Sequence, residues 1–380
     1  MKILIAPNAF KDSLSAVGAA DIMATAVRAL LPTAQILTLP LADGGDGLLE
    51  VMTAQQGGQL QRTSLSDLLG EPQPLEAEFL WFPARRLALI ESASAIGLRL
   101  LQGRAPDPMR ASSRGLGELI LAALALGAEE LLIGLGGSAT NDGGLGLAEA
   151  LGCRILDAKQ RPLKGNGAGL TRCTRLDTEQ LDPRLQQRHF RVLCDVDNPL
   201  LGAQGATAVY GPQKGVTQAL QPALEAGMTR LANHLFGQAL AMSHGAGAAG
   251  GLGAMLQALL GAELVAGSQA VFALLDVDRQ LAGCDLVLTG EGRLDAQSLN
   301  GKAPAEVAAR ARAQGIPCIA LVGELALNAD QLRQAGFAAA FSLCPGPVTL
   351  ATAKAQTAAY LESITQQVLA TFLLNQIKRP

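Results

Sequence analysis

One run of glycines and short polar side chains has the make-up of an anion cradle. It reads Gly134-Leu135-Gly136-Gly137-Ser138-Ala139-Thr140-Asn141-Asp142-Gly143-Gly144-Leu145-Gly146. An apolar strand-like segment, Leu131-Leu132-Ile133, precedes it, and a helix-like segment, Leu147–Leu151, follows. Glycine lets a backbone turn sharply and lets phosphate oxygens approach N–H groups, while a helix N-terminus favours negative charge. Gly136, Gly137, Ser138, Asn141, Asp142, Gly143 and Gly144 are therefore candidate phosphate-binding residues, with Lys214 of Gln213-Lys214-Gly215 as a further phosphate contact.

Three other polar segments follow apolar strand-like runs. They are Pro7-Asn8-Ala9-Phe10-Lys11-Asp12-Ser13, Asp43-Gly44-Gly45-Asp46-Gly47, and Thr289-Gly290-Glu291-Gly292-Arg293-Leu294-Asp295 with Gly301-Lys302. In open parallel sheets, ligands bind beyond the carboxyl ends of the strands, so these segments should converge. The Asp43/Asp46 pair suits Mg²⁺ or a substrate hydroxyl. Lys11, Arg293 and Lys302 suit a carboxylate or phosphate, with Glu291 and Asp295 beside them. Asp195 ends another apolar run and is a candidate catalytic carboxylate. Asp43 could instead begin a turn and cap the helix that follows it, Asp195 could be a turn residue stabilised by Asn198, and Gly245–Gly251 could be helix packing without a ligand.

Alternating strand and helix patterns position these residues. Lys2–Ala6, Ala34–Leu39, Asp285–Thr289, Cys318–Val322 and Ala339–Leu343 read as strands. Ser15–Leu31, Gly47–Gln55, Ala303–Ala313, Asn328–Ala335 and Leu350–Leu374 read as helices, which predicts an α/β fold with a doubly wound parallel sheet. The middle reads differently. Leu75–Phe82 and Arg86–Glu91 suggest a hairpin. Gly115–Leu126, Gln218–Gly237 and Leu252–Leu260 suggest helices, and Glu130–Gly134 and Arg191–Asp195 buried strands. The predicted layout is one discontinuous domain, 1–60 and 281–380, with a mixed α/β domain, 61–280, inserted into it.

Composition narrows the function classes. The 380 residues carry a net charge of −3, 49% hydrophobic and 3% aromatic residues, and 43 glycines. Mean hydropathy is +0.26. Nothing resembles a basic nucleic-acid surface, a signal peptide or a membrane span of ~20 apolar residues. The six cysteines lack CxxC spacing and the three histidines are scattered, so reduced core thiols and no histidine-built metal site are expected. These traits suit a soluble cytoplasmic protein acting on small molecules, with a homo-oligomer left open. Gly134-x-Gly136-x-x-Ala139 also matches a relaxed dinucleotide fingerprint, with Asp157 near the place of a ribose contact. The intervening polar residues and second glycine pair delay the helix, which weakens that match.

The segments together resemble the type I glycerate kinase family. The resemblance runs through nearly the whole chain. It rests on Ile5–Lys11, Ala42–Gly47, Gly136–Gly144, Asp195–Pro199, Tyr210–Gly215, Gly245–Gly251 and Thr289–Asp295 with Gly301-Lys302. It implies a flavodoxin-like domain with an inserted domain, and transfer of the γ-phosphoryl of ATP to D-glycerate with Mg²⁺, giving 2-phosphoglycerate. A 3-phosphoglycerate product, or in another class an NAD-dependent dehydrogenase of a small hydroxy acid, are the alternatives. On this reading Arg293 holds the glycerate carboxylate, helped by Lys11 or Lys302. Asp43, Asp195 or both hold Mg²⁺, and Asp195 is favoured over Asp43 as base. Two departures stand out: Asn8-Ala9 where many members carry Asp-Ser, and Ser243-His244 where proline is frequent before the glycine run.

Overall fold

The computed structural model describes residues 1–45, 47–101, 103–299 and 301–377. Asp46, the second carboxylate of the expected pair, lies outside them. The chain divides into two compact units: Met1–Asp43, Glu50–Gly57 and Ser268–Pro380 form one, Gly44–Leu49 and Gly58–Gly267 the other.

The first unit is built on a five-strand sheet, wholly parallel, in the spatial order Ala339–Ser342, Cys318–Leu325, Leu286–Leu294, Lys2–Ile5, Gln35–Thr38. Ile3, Leu4 and Ile5 are fully buried, as central parallel strands covered on both faces require. Ser15 starts the helix Ala16–Leu30 by accepting the Gly18 N–H at 3.2 Å. That helix packs Ala19, Ala20, Met23 and Val27 with Leu361 and Leu369 of the helix Thr357–Ile377 and with Ile3, Ile5, Leu286 and Leu288 of the sheet. The helix Ala303–Ala313 packs on the strands Leu286–Leu294 and Cys318–Leu325.

The predicted strand Asp285–Thr289 is longer than expected and runs from Leu286 to Leu294. Past Thr289, where the expected strand stops, Glu291 still pairs with Val322 and Arg293 with Glu324. Gly290 continues the ladder because a Cβ there would lie 2.2 Å from the Leu321 carbonyl oxygen. Glu291 and Arg293 are thus strand residues, held in a fixed register instead of on a loop. The predicted helix Leu350–Leu374 is two, Leu350–Ala355 and Thr357–Ile377.

The second unit contains a six-strand mixed sheet, ordered Glu263–Val265, His189–Leu193, Glu130–Gly134, Leu87–Glu91, Leu75–Phe82, Gln59–Leu65. The first four strands are mutually parallel, and the last two join as antiparallel hairpins. A two-strand ribbon, Arg154–Leu156 with Arg175–Asp177, lies apart from it. The parallel strands send Glu91, Gly134 and Leu193 to one edge, where the glycine-rich run and Asp195 begin. The strand expected to reach Asp195 ends at Leu193. The expected helix Gln218–Gly237 is α-helical over Gln221–Leu231 and closes with a π turn, Ala232–Phe236. The expected helix at Leu252–Leu260 is preceded by Ala249, Gly250 and Gly251 in left-handed conformations.

Candidate active site

In the first unit the sheet's parallel strands bring several of the expected residues together. The backbone is pinned first: Asn8 N–H donates to the Gly290 carbonyl at 2.8 Å, and the Thr289 hydroxyl to the Ala6 carbonyl at 2.7 Å. Asn8 Nδ2 then donates to Asp43 Oδ2 at 2.8 Å, and the Ala303 N–H to Asp43 Oδ1 at 2.8 Å. Asp43 is therefore a cap, but of the helix Ala303–Ala313 and not of the helix that follows it in sequence. Burial pushes its carboxyl up, against the bonds from Ala303 and Asn8 and the charge of Lys302.

Glu291 is only 6% exposed, and among the described residues its Oε1 has no hydrogen-bond partner. Burial pushes it up to about 7; the Ser298 hydroxyl and Lys302 oppose the shift, and Asp43 and Asp295 add to it. Lys302 is half-buried at the N-cap position of the helix Ala303–Ala313. Arg293 is exposed, with Nε 3.2 Å from Asp295 Oδ2 and a terminal nitrogen 3.6 Å from Glu324 Oε1. Asp295 is itself fixed by the N–H groups of Gln297 and Ser298, at 2.9 and 3.2 Å. Lys11 is exposed, and its backbone nitrogen would lie 3.4 Å from a Cβ at Gly292, so it sits beside the Glu291–Arg293 strand segment. Asp12 is in neither a helix nor this cluster; it adopts φ 59° and pairs with Lys354 Nζ at 2.9 Å.

The second unit corrects the picture of a continuous phosphate cradle. From Ser138 to Gly144 the run is buried, and its open part is Leu135–Gly137, with Gly137 exposed. Asp142 is completely buried and faces inward: it accepts the Ser113 N–H and hydroxyl at 2.8 Å each, and the N–H groups of Gly144 and Gly146 at 3.0 and 3.1 Å. Asn141 Nδ2 donates to the Thr207 hydroxyl at 3.2 Å. Gly144 has φ +76°, and a Cβ there would lie 2.5 Å from the Met255 Cβ. The Gly143 N–H donates to the Gly250 carbonyl at 3.0 Å, so the glycine run at 245–251 packs under this loop. Asn141, Asp142, Gly143 and Gly144 thus build the loop, and Gly136 and Gly137 lie in its open part.

Lys214 is 2% exposed and holds that loop from behind. Its Nζ donates to Ser138 Oγ at 2.9 Å and to the Thr140 carbonyl at 2.8 Å. Burial pushes it down to about 7, opposed by Asp142. Asp195 is exposed, and its Oδ1 accepts the Gly267 N–H at 2.8 Å. Asn198 does not stabilise Asp195 through its side chain; it accepts from the Tyr210 hydroxyl at 2.7 Å and donates to the Gln204 carbonyl at 2.8 Å.

Sequence reasoning missed Glu91 and Ser92. Glu91 is 3% exposed at its strand end, accepts the Leu49 N–H at 3.4 Å and lies 3.6 Å from Arg99. The Ser92 hydroxyl accepts the Gly136 N–H at 3.4 Å. An acidic residue closing an otherwise apolar strand was the available signal. Ser113 and Thr207, the partners of Asp142 and Asn141, carry none. The dinucleotide reading loses its acidic contact: Asp157 accepts from its own turn and from Arg161, bonds that hold it down at about 2. Among the described residues no group of three or more His, Cys, Asp or Glu could hold a metal ion, and no helix is long and apolar enough to cross a membrane.

Comparison with known proteins settles the family. The sequence pattern described as "Glycerate kinase family" matches residues 3–373. This chain belongs to the glycerate kinase family. It is 40% identical to a glycerate kinase of Bacillus subtilis over 98% of both chains, and 41% identical to a glycerate 2-kinase of Escherichia coli over 92% of both. It also superposes on the crystal structure of a Salmonella typhimurium LT2 protein assigned as glycerate kinase 2, with a TM-score of 0.85, 39% identity and 99% of each chain covered. The glycerate kinase match spans both units and every segment that carried the resemblance.

Proposed function

We propose that this chain transfers the γ-phosphoryl group of ATP to the 2-hydroxyl of D-glycerate, forming 2-phosphoglycerate and ADP. The observation that carries the reading is the family match over residues 3–373. The choice of hydroxyl is supported by the likeness to the Escherichia coli glycerate 2-kinase. We read the first unit as a flavodoxin-like, doubly wound domain interrupted by the second. Numbered within that unit, its strands lie in the order 2-1-3-4-5, the flavodoxin arrangement. The six unpaired cysteines suit a reducing cytoplasm.

Phosphoryl transfer needs positioning and charge stabilisation more than covalent help from the protein. In the first unit, the exposed Arg293 guanidinium, steadied by Asp295, takes the glycerate carboxylate, with Lys11 and Lys302 adding positive charge. Asp43 holds the Ala303 helix start and Asn8 in place, so both of its oxygens are occupied. In the second unit, the open tip at Gly136–Gly137 lies against the nucleotide phosphates, and Lys214 keeps Ser138 and Thr140 from shifting.

Magnesium takes one or two carboxylates and completes its shell with waters and phosphate oxygens. The residues present fit that: Asp195 offers an exposed carboxylate oriented by the Gly267 N–H, so Asp195 would be the protein's ligand and Asp43 would not. Bound there with the nucleotide, the ion would offset charge on the β- and γ-phosphates. The test is an ATP-coupled assay with D-glycerate, followed by phosphorus NMR of the product. A phosphorus doublet, from coupling to the single C2 proton, is expected; a triplet, from the C3 methylene, would assign the 3-hydroxyl, and no ATP-dependent product would reject the reading.

A further inference from the structure

Among the described residues of the first unit, one buried acid has an oxygen without a partner. Glu291 sits on a strand whose register is locked on both sides of it, by Gly290 against Leu321 and Arg293 against Glu324. It is 6% exposed, and among the described residues its Oε1 has no hydrogen-bond partner. A buried acceptor left unpaired costs on the order of 1–3 kcal/mol, so such a group points to something that binds there. Asp43 is a poor rival, because Asn8 and the Ala303 N–H occupy its two oxygens. Asp295 is taken up by Arg293 and the turn N–H groups of Gln297 and Ser298.

Building on the glycerate kinase reading, we propose that Glu291 is the catalytic base, accepting the proton of the glycerate hydroxyl on Oε1. The hydroxyl oxygen forms its bond to the γ-phosphorus as the bond from that phosphorus to the β,γ-bridging oxygen breaks, and that electron pair leaves with ADP. The hydroxyl proton passes to Glu291 and then to water after the product departs. The charged groups facing Glu291 are Lys302 from the helix start, Asp43 from the loop after the edge strand Gln35–Thr38, and Asp295 from the turn after its own strand, with the Ser298 hydroxyl favouring its charged form. Lys302 and Ser298 favour the charged form, while burial, Asp43 and Asp295 oppose it and hold the group at about 7. A base poised near the working pH transfers protons most effectively.

The test is steady-state kinetics of the full-length Glu291→Gln enzyme with D-glycerate and ATP, between about pH 5.5 and 9. Wild-type kcat should rise along an acid limb centred near the Glu291 value. The glutamine variant should lose kcat on the order of 10²–10⁴-fold and lose that limb, with the KM for glycerate changed less than ~threefold. A variant that keeps kcat within ~threefold, or keeps the limb, would overturn the assignment. Should the variant fail to fold, Ser298→Ala decides: removing a hydroxyl that favours the charged form should move the limb to higher pH, and an unmoved limb would overturn the proposal. A wild-type enzyme with no ATP-dependent phosphorylation of glycerate would instead overturn the functional reading itself.

Discussion

Glu291 in the first unit and Lys214 in the second are both nearly sealed from water, and burial drives both toward 7 from opposite sides. Their surroundings differ. Lys214 spends its ammonium on Ser138 and the Thr140 carbonyl, while Glu291 keeps an oxygen unpaired. The contrast extends to the polar motifs around them. In the first unit the side chains of Arg293 and Lys11 reach solvent. In the second unit Asn141, Asp142 and Lys214 are buried and hold up a loop whose open tip is two glycines. A motif residue can therefore serve chemistry by touching a ligand or by fixing the backbone that does.

The sharpest way to break this contrast is Asp142→Ala. It strands the Ser113 N–H and hydroxyl and the Gly144 and Gly146 N–H groups in a dry interior. The expected loss is roughly 3–5 kcal/mol, read as a melting temperature lower by about 10 °C. A variant melting like wild type would mean that Asp142 is not a scaffold. Gly144→Ala comes next. It must hold φ +76° and place a methyl 2.5 Å from the Met255 Cβ. About 2–3 kcal/mol of stability should be lost in denaturant unfolding.

The two buried titrating groups should give opposite pH slopes. Glu291 has its folded value raised from an ordinary 4.5 to about 7. Its contribution is full below 4.5 and is lost as pH rises through 7, when a charge must sit in the interior. Glu291→Gln removes that charge, so its stability should gain on wild type as pH rises from about 5 to 8, by on the order of 2 kcal/mol, even as activity falls. Lys214 has its folded value lowered from 10.5 to about 7, so its contribution is present above 10.5 and lost as pH falls through 7. Lys214→Met should therefore compare better with wild type at about pH 6 than at pH 9, by roughly 1–2 kcal/mol. Parallel slopes for the two variants would erase the contrast.

Much of this was legible in the sequence. Apolar runs located the parallel strands, Ser15 announced its helix, and Leu75–Phe82 was bounded correctly. Strand-end placement gathered Asp43, Glu291, Arg293 and Lys302 because parallel strands deliver their carboxyl ends to one edge. What stayed hidden depends on tertiary packing. Gly290 and Gly292 look like breakers, yet they extend a strand by allowing close backbone approach. Gly143 and Gly144 look like phosphate contacts, yet Leu231 and Met255 fill the space beside them. Asp43 caps a helix 260 positions away, which no local pattern signals.

The division of labour between the units is tested most directly by Arg293→Ala, with D-glycerate and ATP varied in turn. Arg293 is exposed, so the substitution leaves no buried group unpaired and should spare the fold. The expected result is a KM for glycerate raised at least ~tenfold, about 1.4 kcal/mol, with the KM for ATP unchanged. An unchanged KM for glycerate, or a raised KM for ATP, would contradict the assignment of glycerate to the first unit's strand ends.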